Sequence, residues 1–159
     1  MGVFRKTAGV VALLGFLPSQ ARGGDVALIV HPANPLSDLS WASVIKIFRV
    51  EQQHWNSGGR IYLILQQFGT PEKEIVLRRV YRMKDAELKQ FWLGKLFRGE
   101  IASFPRVAHS SADARRIVAQ APHALSFIDA STADRTVKVL RVDGRRPGEP
   151  GYVLANPVN

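Results

Sequence analysis

Short apolar runs alternate with segments of helical periodicity, and this alternation constrains the fold more than any other feature of the sequence. Four runs are typical of buried strands: Ala27 to Val30, Ile61 to Leu65, Leu125 to Ile128 and Val137 to Val142. Between them, apolar residues recur at the spacing of one helix face. Strands that alternate with helices favour an α/β sandwich, with a mainly parallel sheet flanked by helices, because parallel strands need crossover connections.

Residues that can cap a helix stand where these helical segments begin. Ser40, Asp85 and Ser110 each precede an apolar repeat and are predicted to start a helix. Thr70 stands before Pro71, and proline suits the first position of a helix because its missing N–H is not needed there. The sequence therefore predicts four helix starts between the strands.

The helix predicted after Asp85 carries its apolar residues on one face. Leu88, Trp92 and Leu96 recur at helical spacing, and Gly99 follows as a predicted stop. We therefore expect Trp92 and Leu96 to lie in the core.

The first 21 residues have the pattern of a secretory signal peptide. A basic start at Arg5 and Lys6 is followed by the apolar run Thr7 to Leu17. Ser19 and Ala21 place small residues at the two positions that a signal peptidase reads. The sequence therefore predicts cleavage after Ala21.

A membrane anchor is the competing interpretation of the same segment. A spanning helix needs about 20 apolar residues, and this run is roughly half as long. The chain has no cysteine, which excludes a lipoprotein cysteine, disulfides and thiolate metal sites. We expect residues 22–159 to form a single exported domain, periplasmic or secreted, without stable insertion into a membrane.

The chain is basic, with a formal charge of +9. Two of its 22 basic residues lie in the leader, which leaves 20 basic and 13 acidic residues in 22–159, a formal charge of +7. These basic residues are scattered, and export separates the protein from most nucleic acid, so nucleic acid is not expected as a partner. A solvated basic surface that attracts small anions or the anionic membrane face fits better.

Enzyme chemistry finds little support in the sequence. The histidines lack the spacing of a metal site and are far apart: His31, His54, His109 and His123. Ser110 and Ser111 stand beside His109, but no Gly-x-Ser-x-Gly elbow surrounds them, and Ser110 already has a capping role. We therefore predict no catalytic residue, no metal and no cofactor, and an exported hydrolase is the least supported interpretation.

The order of the motifs resembles that of a known family. The stretches are VHPANPLSDLSWASVIKIFRVEQQHW, QQFGTPEKEIVLRRVYRM, LKQFWLGKLFRG, APHALSFID and VKVLRVDGRRPGEPGYVLAN. In this order they are similar to the phosphate-binding proteins of ABC transporters, which are type II periplasmic binding proteins. Complete members have two lobes that close on phosphate, and this chain has about half their length. The resemblance implies a single lobe that serves as a transporter substrate-binding component and not as an enzyme.

The resemblance also singles out one turn. The family binds its ligand with a Ser-Gly-Thr turn, which here reads Phe68-Gly69-Thr70, so Gly69 and Thr70 are candidate ligand residues. A phosphate-pairing Arg of the family corresponds to Ile64 here. Each lost donor removes a charge-assisted hydrogen bond of about 1.5 to 3 kcal/mol, so we expect weak or altered binding of phosphate or another small anion.

A purely structural role for the same turn remains open. Thr70 can serve only as a helix cap, with Gly69 shaping the turn. Glu72 and Glu74 lie in the first helical turn, where they satisfy the positive end of the helix dipole and repel a dianion.

A second functional interpretation is an accessory or sensory protein that docks on a membrane partner, a permease or a sensor. Trp41, Trp55 or a basic helix face would then supply the contact. That face consists of Arg78, Arg79 and Arg82. Simple solvation of these arginines is the alternative.

Intact mass spectrometry of the exported protein tests the leader. We expect the mass of a chain that begins at Arg22, because Ser19 and Ala21 fit the cleavage positions. A periplasmic product that retains the first 21 residues would indicate an anchored protein instead.

Overall fold

A five-stranded sheet lies at the centre of residues 24–157, the part of the chain that the computed structural model describes. In spatial order its strands are β4 (Arg106–Ala108), β3 (Tyr62–Gln66), β5 (Ala124–Asp129), β1 (Val26–Val30) and β6 (Lys138–Val139). β3 pairs in parallel with β4 and β5, whereas β1 pairs antiparallel with β5 and β6. Only β1 therefore opposes the other four, and the predicted mainly parallel sheet is confirmed.

Helices cover both faces of this sheet. They are α1 (Trp41–Phe48), α2 (Pro71–Val76), a π-helical turn (Leu77–Tyr81), α3 (Asp85–Phe97) and α4 (Ser111–Gln120). The two faces of β1 show how they divide. Val26, Leu28 and Val30 pack in the cluster that includes α1, α2 and α3, whereas Ala27 and Ile29 pack in the cluster that includes α4. Because successive side chains of a strand point to opposite faces, α4 lies on the other side of the sheet from α1, α2 and α3.

Three of the predicted helix caps are confirmed. The hydroxyls of Ser40, Thr70 and Ser110 each accept a hydrogen bond from the backbone N–H three residues later, at 3.1, 3.3 and 3.1 Å. Each hydroxyl satisfies a donor that the helix itself cannot pair.

The predicted cap at Asp85 is wrong by one residue. Lys84 occupies the capping position of α3, and the Glu87 carboxylate accepts its backbone N–H at 2.6 Å. Asp85 lies inside the first turn, and its carboxylate is 3.2 Å from the Lys89 ammonium. The carboxylate of Glu87 therefore pairs the N–H of the capping residue, whereas no side chain in the described part of the protein caps the first turn of α3.

The strand predicted from Val137 to Val142 is divided between two sheets. Its first half is β6, and its second half is β7 (Arg141–Val142), which pairs in parallel with β2 (Asp38–Leu39). Leu140 is fully buried at the junction, and its N–H still donates to Leu28 O at 2.9 Å. At Leu140 the chain leaves the edge of the main sheet and enters a second sheet of two strands, β2 and β7.

The core face predicted for α3 is confirmed. Leu88 and Trp92 are buried, with Trp92 only 6% exposed, and Leu96 is half-buried and packs against the same cluster. The Trp92 ring meets the buried Tyr81 ring edge to face, with centroids 6.2 Å apart. Tyr81 in turn donates to Phe48 O at 2.8 Å, so α1, the π-helical turn and α3 share one aromatic cluster.

The predicted leader lies outside the described residues. Within 24–157, no helix is both long and apolar enough to cross a membrane.

Unfolding in urea tests the packing of α3. Trp92→Ala should lower the free energy of unfolding by about 3 to 5 kcal/mol, because it removes a buried aromatic ring and leaves a cavity. Phe97→Ala is the matched control on the same helix: Phe97 is 85% exposed, so its loss should change stability by less than about 0.5 kcal/mol. Equal midpoints for the two variants would contradict this packing.

Candidate functional site at the carboxyl edge of the sheet

The candidate turn follows β3 at the carboxyl edge of the sheet. Gln67 continues the pairing with β4, since its N–H donates to Ala108 O at 2.8 Å, and the chain then turns at Phe68 and Gly69. Gly69 has a φ of +82°, a conformation that residues with a side chain rarely adopt. A Cβ atom placed there would meet nothing within 4 Å. The backbone angle therefore requires this glycine, whereas the space around it does not.

The Thr70 hydroxyl already has partners within the chain. Its Oγ1 accepts from Lys73 N at 3.3 Å and donates to Gln67 O at 3.4 Å. The only proton of the hydroxyl is thus used inside the turn. That Gly69 and Thr70 also contact an anion stays a prediction.

Gln66, the last residue of β3, joins three elements beneath the turn. Its side chain is 1% exposed, and its Nε2 donates to Phe127 O at 2.8 Å and to Ser111 Oγ at 3.2 Å. These bonds connect β3 to β5 and to the start of α4. Its Oε1 is buried and has no hydrogen-bond partner among the described residues.

Ser111 is the second member of this hydrogen-bond network. Its Oγ accepts from Asp129 N at 3.0 Å as well as from Gln66, and it donates to Glu72 Oε1 at 3.4 Å. His109, two residues earlier in the sequence, instead places Nδ1 3.3 Å from Gln67 Oε1. The Ser111 proton is therefore directed to a carboxylate and not to an imidazole.

Lys73 is a buried cation that the sequence analysis did not single out. Its Nζ donates to Gln66 O at 3.3 Å, beneath the turn. Burial lowers the pKa of this ammonium, although the Asp85 and Glu74 carboxylates act in the opposite direction. A lysine in the first turn of a helix is normally solvated, so only the packing of α2 against β3 identifies it.

Carboxylates surround this edge of the sheet. The Asp129 carboxylate accepts from Ser131 N at 2.8 Å. The Glu72 carboxylate accepts from Ser111 Oγ at 3.4 Å, and the Asp113 carboxylate accepts the backbone N–H of His109 at 3.0 Å. That hydrogen bond and the Arg116 guanidinium lower the pKa of Asp113, so it stays ionised. An incoming dianion would meet this negative charge. No group of three His, Cys, Asp or Glu side chains within 24–157 could hold a metal ion.

The two residues that depart from the resembled family carry no anion donor. Ile64 is buried against the α4 side of the sheet, and its carbonyl accepts from Ser126 Oγ at 2.9 Å. Phe68 is 59% exposed, and the Lys89 ammonium lies 5.3 Å from the centroid of its ring. Phe68 therefore presents an apolar ring at the position that the resemblance assigns to a serine hydroxyl.

The residues predicted to contact a partner differ in exposure. Arg78 and Arg79 are exposed on the π-helical turn, and the exposed Arg82 ends it. Trp55 as a partner contact is wrong, because it is buried and its Nε1 donates to His123 O at 3.2 Å. Trp41 is half-buried against the core. A partner role for the three arginines stays a prediction.

No protein-family profile matches this sequence, and no curated protein matches it. Solved structures do match. A phosphate ABC transporter substrate-binding protein from Clostridium perfringens, solved with bound phosphate, superposes with a TM-score of 0.63 at 20% identity. An ABC-type phosphate transport receptor from Vibrio cholerae and PstS from Borrelia burgdorferi each superpose with a TM-score of 0.64 at 16% identity.

The matches cover most of this chain but only about half of each solved structure. They cover 78%, 78% and 82% of this chain, but 47%, 48% and 54% of the three solved chains, in the same order. The chain therefore spans about half the length of the proteins that it matches. At this level of identity the comparison concerns the fold, and it agrees with the resemblance inferred from the ordered motifs. This chain has the α/β fold of the phosphate-binding proteins of ABC transporters.

Proposed function

We propose that this chain is an exported binding module of the phosphate-binding-protein type, reduced to one lobe, with weak or altered anion binding. It acts in the periplasm or outside the cell after cleavage at Ala21, as a binding protein and not as an enzyme. The shared fold and the titles of the matched structures, a substrate-binding protein and a transport receptor, support a ligand-binding role.

The proposal of altered binding rests on one observation: the polar groups of the turn already form hydrogen bonds within the protein. Thr70 Oγ1 donates to Gln67 O and accepts from Lys73 N, and Ser111 Oγ donates to Glu72. A phosphate bound there would have to replace these bonds with its own. It would also approach the Glu72 carboxylate, which is already bonded to Ser111 and would repel the negative phosphate.

The substitutions weaken phosphate further. Phe68 and Ile64 supply neither a hydroxyl nor a guanidinium, and each missing charge-assisted hydrogen bond is worth about 1.5 to 3 kcal/mol. Each loss corresponds to roughly a tenfold to hundredfold decrease in affinity. Together they bring a micromolar site close to the millimolar range.

A second candidate function is docking on a membrane permease or sensor through Arg78, Arg79 and Arg82. These side chains form no ion pair or hydrogen bond with another residue in the described part of the chain. Their charges are therefore available to an acidic partner surface. Genes for a permease and an ATPase beside this gene would favour transport, whereas a histidine kinase or outer-membrane channel gene would favour an accessory role.

Thermal unfolding in 1 mM phosphate tests the proposed weak binding. A site with micromolar affinity would add about 4 kcal/mol to the free energy of unfolding. For a domain of this size, that would raise Tm by roughly 8 to 16 °C. We expect a rise of no more than about 2 °C beyond that in sulfate at equal ionic strength, since the turn is used internally.

Two variants of Thr70 separate the cap from a ligand role. Thr70→Ala should lower stability by about 1 kcal/mol with or without phosphate, whereas Thr70→Ser, which keeps the hydroxyl, should retain most of it. A large phosphate-specific shift that disappears in Thr70→Ala would contradict the proposal and identify the turn as a working phosphate site.

A further inference from the structure

A cavity of about 480 Å³ lies beside the candidate turn, between the end of β3, the start of α2 and the inner face of α3. Its volume falls within the range of small-molecule sites, roughly 300 to 1,000 Å³. The cavity shares Phe68 with the turn, so the residue that replaces a phosphate-binding serine forms one of its walls.

The walls of this cavity are largely apolar. Phe68, Leu88, Trp92, Phe104 and Val107 all line it. Three of them are unusually exposed for their type: Phe68 at 59%, and Phe104 and Val107 at 49% each. Large apolar side chains that converge on one concave surface and remain half-exposed are typical of a site that an apolar group covers.

Three residues that line the same cavity have polar groups with unused bonding capacity. Trp92 Nε1 and Gln66 Oε1 are both buried without a hydrogen-bond partner among the described residues. Lys73 also lines the cavity, and its ammonium makes one hydrogen bond, to Gln66 O. Trp92 Nε1 and Lys73 Nζ are both donors, and buried donors in proteins are nearly always paired, so they indicate a ligand with an acceptor at one end. Gln66 Oε1 is an acceptor and would not pair with that end.

The charged residues around the cavity indicate whether the polar end of the ligand is negative or positive. Lys89 and Asp85 lie on its wall and pair with each other at 3.2 Å. Lys73 is the second cation on this wall, so two lysines face one carboxylate, Asp85, which acts on both of them. This excess of positive charge favours a negatively charged ligand atom.

We propose that this cavity binds a small amphipathic carboxylate, with its apolar body between Phe68, Trp92 and Phe104 and its carboxylate toward Lys73. The inference rests on the proposed binding function and specifies its ligand class. Phe68 then has a role of its own. It lacks the hydroxyl that the resembled family uses for phosphate, and its ring supplies apolar contact area for the carboxylate ligand.

An NMR titration with octanoate tests this site in the full exported chain. The three tryptophans give three indole N–H signals, which Trp→Phe variants assign. We expect octanoate to shift the Trp92 signal saturably and to leave the Trp55 signal unchanged, because the Trp55 N–H is already bonded to His123 O. Octylammonium and 1-octanol have the same apolar body without the negative charge, and both should bind about tenfold more weakly.

Variants separate the two parts of the site. Phe68→Ala should weaken octanoate about tenfold, and it should fold normally because Phe68 is largely exposed. Lys73→Met should abolish the preference for octanoate over 1-octanol, whereas Lys46→Met, at an exposed lysine of α1, should preserve it. The comparison of octanoate with octylammonium on the unaltered chain tests the same charge even if Lys73→Met does not fold.

The inference is overturned if octanoate leaves the Trp92 signal unchanged, if octylammonium binds as tightly as octanoate, or if Phe68→Ala has no effect. If the chain does not bind octanoate but shows a small Tm shift specific to inorganic phosphate, the inferred site is rejected and the proposed function stands. Octanoate binding by a chain that retains its leader in the membrane would keep the site and contradict the proposed free export.

Discussion

The buried side-chain amide of Gln66 is the interaction on which the carboxyl edge of this protein depends. It donates to Phe127 O at 2.8 Å and to Ser111 Oγ at 3.2 Å, so one residue connects β3, β5 and the start of α4. Its backbone carbonyl also accepts from Lys73 Nζ at 3.3 Å, which fixes α2 beneath the turn. Because leaving the buried NH₂ group of this side chain unpaired would cost about 1 to 3 kcal/mol, these elements are held in one arrangement.

This chain shares the fold of the matched structures, but its polar groups at this edge bond within the protein. Ligands of open α/β sheets bind at the carboxyl ends of the strands, and the matched phosphate-binding proteins share the fold. In this chain, Ser111 and Thr70 use their hydroxyl protons on Glu72 and Gln67, within the protein. Phe68 extends the edge with an apolar ring instead of a donor. These features support the proposed preference for a ligand with an apolar body over a hydrated dianion.

Local patterns predicted the elements better than the contacts between them. The strands β1, β3 and β5 and the caps at Ser40, Thr70 and Ser110 follow from short-range periodicity and hydroxyl placement, which the sequence displays directly. The short strands β2 and β4 have no such local signal, and the sequence did not predict them. Gln66 and Ser111 lie 45 residues apart, and no local signal joins them. Trp55 resembled a surface aromatic in sequence, yet its indole N–H finds a carbonyl 68 residues away. The cavity is hidden for the same reason, since its walls come from β3, α2, α3 and the segment before β4.

We infer that the polar groups at this edge bond to one another and not to phosphate. Backbone amide NMR of the turn, recorded during a titration with inorganic phosphate and with sulfate at matched ionic strength, tests it most directly. We expect the amide signals of Gly69, Thr70 and Lys73 to move equally and slightly with both salts, because the Lys73 amide remains bonded to the Thr70 hydroxyl. Saturable shifts of these three amides with phosphate alone would contradict the account.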